Sequence, residues 1–418
     1  MSQTIEPSTR PLHQLTPSQE NPLLGGVARS DGVGQIPATY TQPKQNMVSQ
    51  LQKLPVAAPT ATLETVAQFH GAMPTGVTVS HQGRIFVNFP KWGDEVEFTV
   101  AEIRDGQPVP YPSLEFNQTQ PDNLAAALVS VQSVVVDPID RLWLLDTGSP
   151  MFELTKPGGP KLVCVDLSTD RIIKTILFPP DVALPTTYLN DIRFDLSQGD
   201  DGIAFITDSS DTGPNGIIVV DLASGESWRK LHDDPSTKAE ILLDCLPIVE
   251  GQPLMERQAD GTTKQMKMGA DGIAINAEGS RLYYCPLISR RIYSIPIESL
   301  VDREMDAETV SATVTDEGDK GGCADGLESD AAGYVYATNF EQQAILRRMA
   351  AVGAWETVVA DPRLMWPDTM SIATDGYLYV IANQLHRQPK YQKGQDLRQK
   401  PYTLFRIKID AEPVLLRV

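Results

Sequence analysis

The sequence predicts an all-β chain folded as a six-bladed β-propeller, closed by strands from both chain ends. Three observations predict it. Short runs of Val, Ile, Leu and Tyr, bounded by Gly, Asp, Asn and Pro, fill most of the 418 residues, and helical periodicity is scarce. A pattern of apolar strand, polar Gly/Asp turn and second strand rich in aromatics or Ile/Val recurs six times. Its spacing of 43 to 81 residues suits propeller blades carrying loops of varied length. A lone hairpin cannot bury both faces, whereas radially stacked four-stranded sheets can, and a closed ring leaves few open edges.

In chain order the hairpins are "PTGVTVSHQGRIFVNF" from Pro74, "VQSVVVDPIDRLWLLDTG" from Val131 and "LNDIRFDLSQGDDGIAFITDS" from Leu189. "ADGIAINAEGSRLYYCP" from Ala270, "ADGLESDAAGYVYATN" from Ala324 and "PDTMSIATDGYLYVIAN" from Pro367 follow. Outer strands lie between them: "PKLVCVDLSTDRIIKTILF" for blade 2, "NGIIVVDLASGESWRKL" for blade 3, "RRIYSIPI" for blade 4, and "AILRRM" with "WETVVA" for blade 5. After the sixth hairpin only "YTLFRIKI" remains, so "ETVAQF" (Glu64–Phe69) is expected to close the ring as the outer strand of the last blade. Residues 59–418 form the propeller on this reading. Residues 1–58, rich in Pro, Gln, Ser and Thr and without periodicity, read as a flexible arm.

The 54 acidic residues against 35 basic ones give a formal net charge of −19 with no offsetting basic stripe. That argues against nucleic acid and against an anionic membrane surface, and it suits a cationic ligand or a divalent metal. No stretch approaches the length of a membrane span. The N-terminal residues carry neither a basic n-region nor an apolar h-region, so the expected location is cytoplasmic, with export by another route left open. Cys164, Cys245, Cys285 and Cys323 show no metal-binding spacing and read as mostly buried thiols; Cys285 and Cys323 fall on neighbouring blades.

Period-two geometry puts the start of each inner strand and the end of its partner on one rim of the ring. The starts are Thr75, Ser133, Asn190 with Asp191, Asp271, Asp325 and Asp368; the ends are Asn88, Asp146, Asp208, Pro286, Asn339 and Asn383. Together they describe a solvated, acidic mouth shared by all blades. Asp271 and Asp325 are the candidate acid–base residues there. Asn190, Asp191, Asn339, Phe340, Trp366, Asp368 and Asn383 are the candidate ligand contacts. The plainer alternative for any one of these is a turn held by side-chain acceptance of backbone N–H. For Asp137, Asp140, Asp195 and Asp330, in the hairpin turns at the opposite end, turn-holding is the expected role. Of five histidines only His386, close to Asn383, is an acid–base candidate, and an exposed loop histidine is the plainer expectation. Trp92 and Trp366 suit a pocket, whereas Trp143 alternates with the core and reads as packing.

Several of these stretches resemble the Yellow and major royal jelly protein family: "VDPIDRLWLLDTG", "YLNDIRFDL" with "GIAFITDSS", "GIIVVDLASGESWR", "GRIFVNFPKWGD" with "PYPSLEFN", and "GYLYVIANQLHR" with "LFRI". The resemblance runs from Phe69 to Ile409 and implies a six-bladed propeller, in agreement with the repeat count. It also implies a small-molecule binding or converting protein, since members are linked to dopachrome conversion or bind small amines in the central channel. Others are abundant secreted proteins, from which the N-terminus here departs. More distantly, the pattern resembles gluconolactonase and senescence-marker propellers, which hold a divalent ion between a Glu, two Asn and an Asp. The corresponding residues are Thr75, Asn190, Asp271 and Asp325, and Thr75 has lost the carboxylate. This second resemblance implies a metal-dependent lactonase or esterase using Ca²⁺ or another divalent cation on Asn190, Asp271 and Asp325, with no organic cofactor. A scaffold acting through its outer faces is the third class.

Overall fold

The computed structural model describes residues 61–241, 245–350 and 353–417; the flexible arm expected for residues 1–58 lies outside them. Six four-stranded antiparallel sheets follow one another along the chain. Blade 1 contains Val77–Val79, Ile85–Asn88, Val100–Arg104 and Gln107–Pro110; blade 2 contains Val131–Val136, Arg141–Asp146, Lys161–Asp166 and Arg171–Leu177. Blades 3, 4 and 5 open at Leu189, Ala270 and Leu327. Blade 6 joins Pro367–Ile372, Tyr377–Ala382 and Tyr402–Lys408 to Leu63–Phe69, which pairs antiparallel with Tyr402–Lys408 from Leu63 opposite Ile407 to Phe69 opposite Tyr402. The ring is therefore closed by strands from both ends, as the missing fourth strand required.

The alternation along each strand gives each blade two apolar faces, and they meet the next blade. One buried cluster joins Trp143, Leu145 and Leu162 of blade 2 to Ile192, Phe194 and Ala204 of blade 3. Another joins Phe205 and Val219 to Ile273 and Tyr284 of blade 4. Trp143 is packing, as expected: it is fully buried, stacks on Phe194 at 5.2 Å and donates its indole N–H to Asp137 at 2.8 Å. Of the hairpin-turn aspartates, Asp137, Asp195 and Asp330 hold their turns, whereas Asp140 accepts the His81 N–H of blade 1 at 2.7 Å. Asp137 accepts the Ile139 and Arg141 N–H groups, and Asp330 those of Ala332 and Tyr334.

Two features were not legible in the pattern. The fourth strand of blade 4, Thr315–Asp319, follows two short helices, Ile297–Val301 and Ala307–Ala312. Its composition, "TDEGD", is that of a solvated edge rather than a core strand. Beyond Lys408 the chain crosses the turn end of the ring. The Ala331 N–H bonds to Glu412 O and the Leu196 N–H to Leu416 O, both at 2.9 Å. Pro413, Val414 and Leu415 thereby close a small cavity of about 80 Å³ at that end of the channel. No helix among the described residues is long and apolar enough to cross a membrane.

Candidate functional site

At the other end of the channel the inner strands of blades 2, 3, 4 and 6 all open with a register shift. The shifts fall between Val131 and Ser133, Leu189 and Ile192, Ala270 and Ile273, and Pro367 and Met370. A bulge re-aims the side chains of the unpaired residues, and the residues released here are Gln132, Asn190, Asp191, Asp271 and Asp368. Thr207 Oγ1 pins two of these openings, accepting the Asp191 N–H at 3.1 Å and donating to Asp271 O at 2.7 Å. Thr338 Oγ1 does the same for blade 5, accepting the N–H groups of Asp325 and Gly326. The glycines that follow the aspartates are there for close approach. A Cβ on Gly272 would sit 2.5 Å from Asp325 O, and one on Gly326 would sit 2.6 Å from Asp368 O. Each Asp-Gly pair is thus one device: the carboxyl turns inward while the glycine lets the next blade's backbone press against it.

Four carboxyls meet as a result. Asp191, Asp271, Asp325 and Asp368 are all buried, Asp271 to 1% exposure and Asp325 to 9%. Asp271 and Asp325 are close enough that each acts on the other's titration. Asn190 Nδ2 donates to Asp271 at 2.6 Å, Trp366 Nε1 to Asp325 at 2.6 Å, and Asn383 Nδ2 to Asp368 at 2.6 Å. Burial, then the charges of Asp325 and Asp191, holds Asp271 far above the usual carboxylate range, and burial with the same two neighbours does so for Asp368. Burial also pushes Asp325 up, to about 7, against the opposing hydrogen bond from Trp366. Asp191 is raised by burial and restrained by the Arg193 guanidinium. A group of acids in water-excluded surroundings with one nearby cation retains protons at neutral pH.

The expected solvated mouth is therefore a sealed cluster. Its roof is built from loops: Tyr391, Met266, Met268 and Leu254 pack with Phe340, Trp366 and Leu385 in one apolar group. Phe340 stacks on Trp366 at 4.0 Å and 8°, so it supports the indole rather than lining open space. His386 is a further correction. It is 4% exposed, stacks on Trp366 at 5.9 Å and bonds through Nε2 to Glu250 at 2.8 Å; burial lowers its pKa. The residue falls in a short 3₁₀ turn, Leu385–Arg387, in which Leu385 and His386 are buried. A cleft of about 340 Å³ lies over it, between Glu250, Arg257, Arg387 and Gln399.

The strand-end residues divide from the strand-start ones. Asn88 ties Thr75 to the Val131 and Gln132 carbonyls, Asp146 pairs with buried Lys161, and Asp208 pairs with Arg229. Asn339 donates to Gly321 O and accepts the Gln342 N–H, so it holds a turn. Of the end positions, Asn383 bonds to an acid of the cluster, Asp368. Thr75 and Ser133 bring no charge. Tyr188, Gln132, Arg193 and Tyr391 join the neighbourhood without having stood in any rim position of the pattern. Cys285 and Cys323 are buried free thiols.

Asn190, Asp271 and Asp325 are contiguous, and their oxygens have the chemistry a hard cation wants. In this arrangement, however, Asp271 accepts the Asn190 amide N–H and Asp325 the Trp366 indole N–H. Among the described residues no group of three or more His, Cys, Asp or Glu side chains has metal-holding geometry.

Residues 129–412 match the family model for major royal jelly protein. Relatives include major royal jelly protein 1 of Apis mellifera, 27% identical over 213 residues, which covers 47% of this chain and 43% of that protein. Protein yellow of Drosophila erecta is 30% identical over 194 residues (42% and 35%), and the dopaminechrome tautomerase of Drosophila melanogaster is 30% identical over 168 residues (38% and 35%). The matched stretches thus span less than half of each relative's length. Among solved structures, the calcium-binding protein regucalcin of Agrobacterium tumefaciens aligns over 85% of this chain and 98% of its own at a TM-score of 0.50 and 14% identity, a likeness of fold. With the family model covering blades 2 to 6 and the ring completed by blade 1 as described, the chain belongs to the major royal jelly protein family.

Proposed function

We propose that this Yellow-type protein binds a compact small molecule at the carboxylate cluster and moves a proton on it, as a tautomerase does. One observation carries the reading: Asp271 and Asp325 are buried carboxyls at the openings of adjacent inner strands, held by Asn190 and Trp366 at 2.6 Å each, and burial raises both, Asp325 to about 7. Such a pair holds a base and an acid side by side at neutral pH. The ionised carboxylate takes a proton from a weakly acidic C–H of the substrate. The neighbouring carboxylic acid gives one to the oxygen or nitrogen at the other end of the conjugated system. Protons and charge balance over the cycle. Asn190 and Trp366 hold the pair by donating to its outer oxygens, and the surplus acids favour a substrate with a cationic group. The relative named dopaminechrome tautomerase makes that compound the first substrate to try. Conversion is followed by absorbance with the wild type, Asp271→Asn and Asp325→Asn. A loss of about 100-fold or more in both variants, with melting temperature retained, is the expected result for acid–base residues. Undiminished turnover in both would sink the reading.

A second reading, a divalent-cation-dependent lactonase or esterase, is favoured by the same charge surplus, because three acids beyond Arg193 need neutralising. Asn190, Asp271 and Asp325 are the oxygen donors such an ion would need, once the contact between Asn190 and Asp271 gives way. Its test is metal content of the purified protein, together with a calcium-dependent rise in melting temperature that Asp271→Asn abolishes.

A further inference from the structure

The roof over the carboxyls has a weak point at blade 2. Trp92 Nε1 donates to the Tyr188 hydroxyl at 2.7 Å, and the two rings lie 6.3 Å apart. Tyr188 is buried, its hydroxyl donates to Gln132 at 3.1 Å, and it directly precedes the strand that carries Asn190 and Asp191, so this pair of rings lies beside the cluster. A third ring, Phe152, lies against both. It is 5.3 Å from Trp92 at 23° and 4.6 Å from Tyr188 at 29°. The Lys390 ammonium stands 5.4 Å from its centre.

Phe152 is poorly rooted. It and Met151 are consecutive non-glycine residues in the left-handed region, with φ of 57° and 56°. Side-chain crowding disfavours that conformation, and it persists only where the surroundings enforce it. Here the surroundings enforce little, since Met151 is 57% exposed, Phe152 38% and Leu154 62%. One anchor falls within the strained pair, one lies beyond it, and Ser149 Oγ bonds across the pair to Glu153 O. The Met151 N–H bonds to Lys91 O at 2.8 Å, and the Thr155 N–H to Pro185 O at 2.9 Å. A strained, solvent-facing loop that lays one aromatic ring on a buried aromatic wall has the form of a resident occupant.

We propose that Phe152 is the gate and specificity-determining residue of the cluster: its ring fills an aromatic slot on Trp92 and Tyr188 that a planar ring of the substrate takes when the loop from Ser149 to Thr155 swings out. The proposal rests on the small-molecule reading above and adds a requirement for planarity. A flat ring seated on Tyr188 directs its substituent inward toward Asp271, while a puckered ring loses the stacking that Phe152 now makes.

The test uses the full chain and two uncharged probes, indole as the planar ring and cyclohexanol as the puckered one, titrated by calorimetry. Phe152→Ala empties the slot, and indole affinity is expected to rise at least tenfold while cyclohexanol gains less than threefold. Phe152→Trp strengthens the resident ring, and indole affinity is expected to fall below the wild-type value. Because Phe152 is half-exposed, both variants should fold, and a thermal melt verifies this. Equal indole affinity in wild type and Phe152→Ala, or equal gains for both probes, would overturn the gate. Indole carries no charge, so its binding reads the aromatic slot and not the carboxyls. The slot can thus stand if proton transfer fails its own test, and the carboxyl chemistry can stand if the slot fails.

Discussion

Replacing Asp325 by Asn tests the central claim about the cluster, that it is a set of buried acids kept protonated. Asn has nearly the shape of Asp. It can accept from Trp366 Nε1 and donate to Asp271, so the contacts survive and the titration does not. Asp325 is raised from 3.8 to about 7, chiefly by burial. At about 1.4 kcal/mol per unit, that shift of roughly 3 units corresponds to about 4 kcal/mol. The sign follows from proton linkage. An acid raised on folding binds its proton more tightly in the folded state. Its contribution is fully present below pH 4 and is lost as pH rises through 7. The wild type should therefore melt progressively lower between pH 5 and pH 8.5. The variant, lacking this group, should show a flatter profile, with little difference near pH 4, about 1.5 kcal/mol by pH 5 and an advantage approaching 4 kcal/mol at pH 8.5. For a chain of this size that is several degrees in melting temperature. Asp271 and Asp325 act on each other's titration, so the midpoint belongs to the pair and not to either residue alone. Calorimetric melts of both proteins at four pH values, in chelator, give the answer. Parallel profiles would mean that Asp325 is ionised and stabilised in the folded chain, and the argument from burial would be wrong.

Three further outcomes follow from the geometry. Gly326→Ala places a Cβ 2.6 Å from Asp368 O, which is backbone and cannot yield cheaply; a loss of about 1–3 kcal/mol in chemical denaturation is expected, and a neutral result would show that the blades slide freely. Trp366→Phe keeps an aromatic face on Phe340 but removes the donor to Asp325, which lowers the pKa of that acid. The midpoint of any pH-dependent turnover or binding should therefore move upward, and a downward move would contradict the assigned bond. Removing residues 1–69 strips the strand Leu63–Phe69 and leaves Tyr402–Lys408 as a bare edge, so soluble yield should collapse relative to removal of residues 1–60; equal stability of the two would refute the closure.

The ring was legible because its signal is repeated. Six hairpins with the same polarity, and one strand too few at the end, leave little choice of architecture, and the closing strand at Leu63–Phe69 follows from that shortage. The convergence of Asp271, Asp325 and Asp368 was legible for the same reason, since each begins an inner strand. What the sequence did not show is depth. Whether a rim acid is solvated or sealed depends on loops such as the one carrying Tyr391, whose course no period describes. His386 was misjudged on that account: next to Arg387 in a polar stretch it reads as surface, and its burial comes from stacking on Trp366 and bonding to Glu250, 136 residues away. Asn339 was misjudged differently. It sits at a rim position in register, but its amide is consumed by Gly321 and Gln342, a local use that strand alternation cannot reveal. Phe152 had no signal beyond following Asp-Thr-Gly-Ser-Pro, a turn.

The pairing of Phe69 with Tyr402 also sets a clock. These residues leave the ribosome some 330 positions apart, which at about 5–20 residues per second is an interval of roughly 20–60 s. Through that time Leu63, Ala67 and Phe69, all buried in the finished ring, have no partner strand. Blades 1 to 5 can form as they emerge, each laid against the last, but the growing fan keeps one unsatisfied flank until the final hairpin arrives. Of its polar residues Gln68 faces outward, and Glu64 waits for Arg406, its ion-pair partner at 2.9 Å on the last strand.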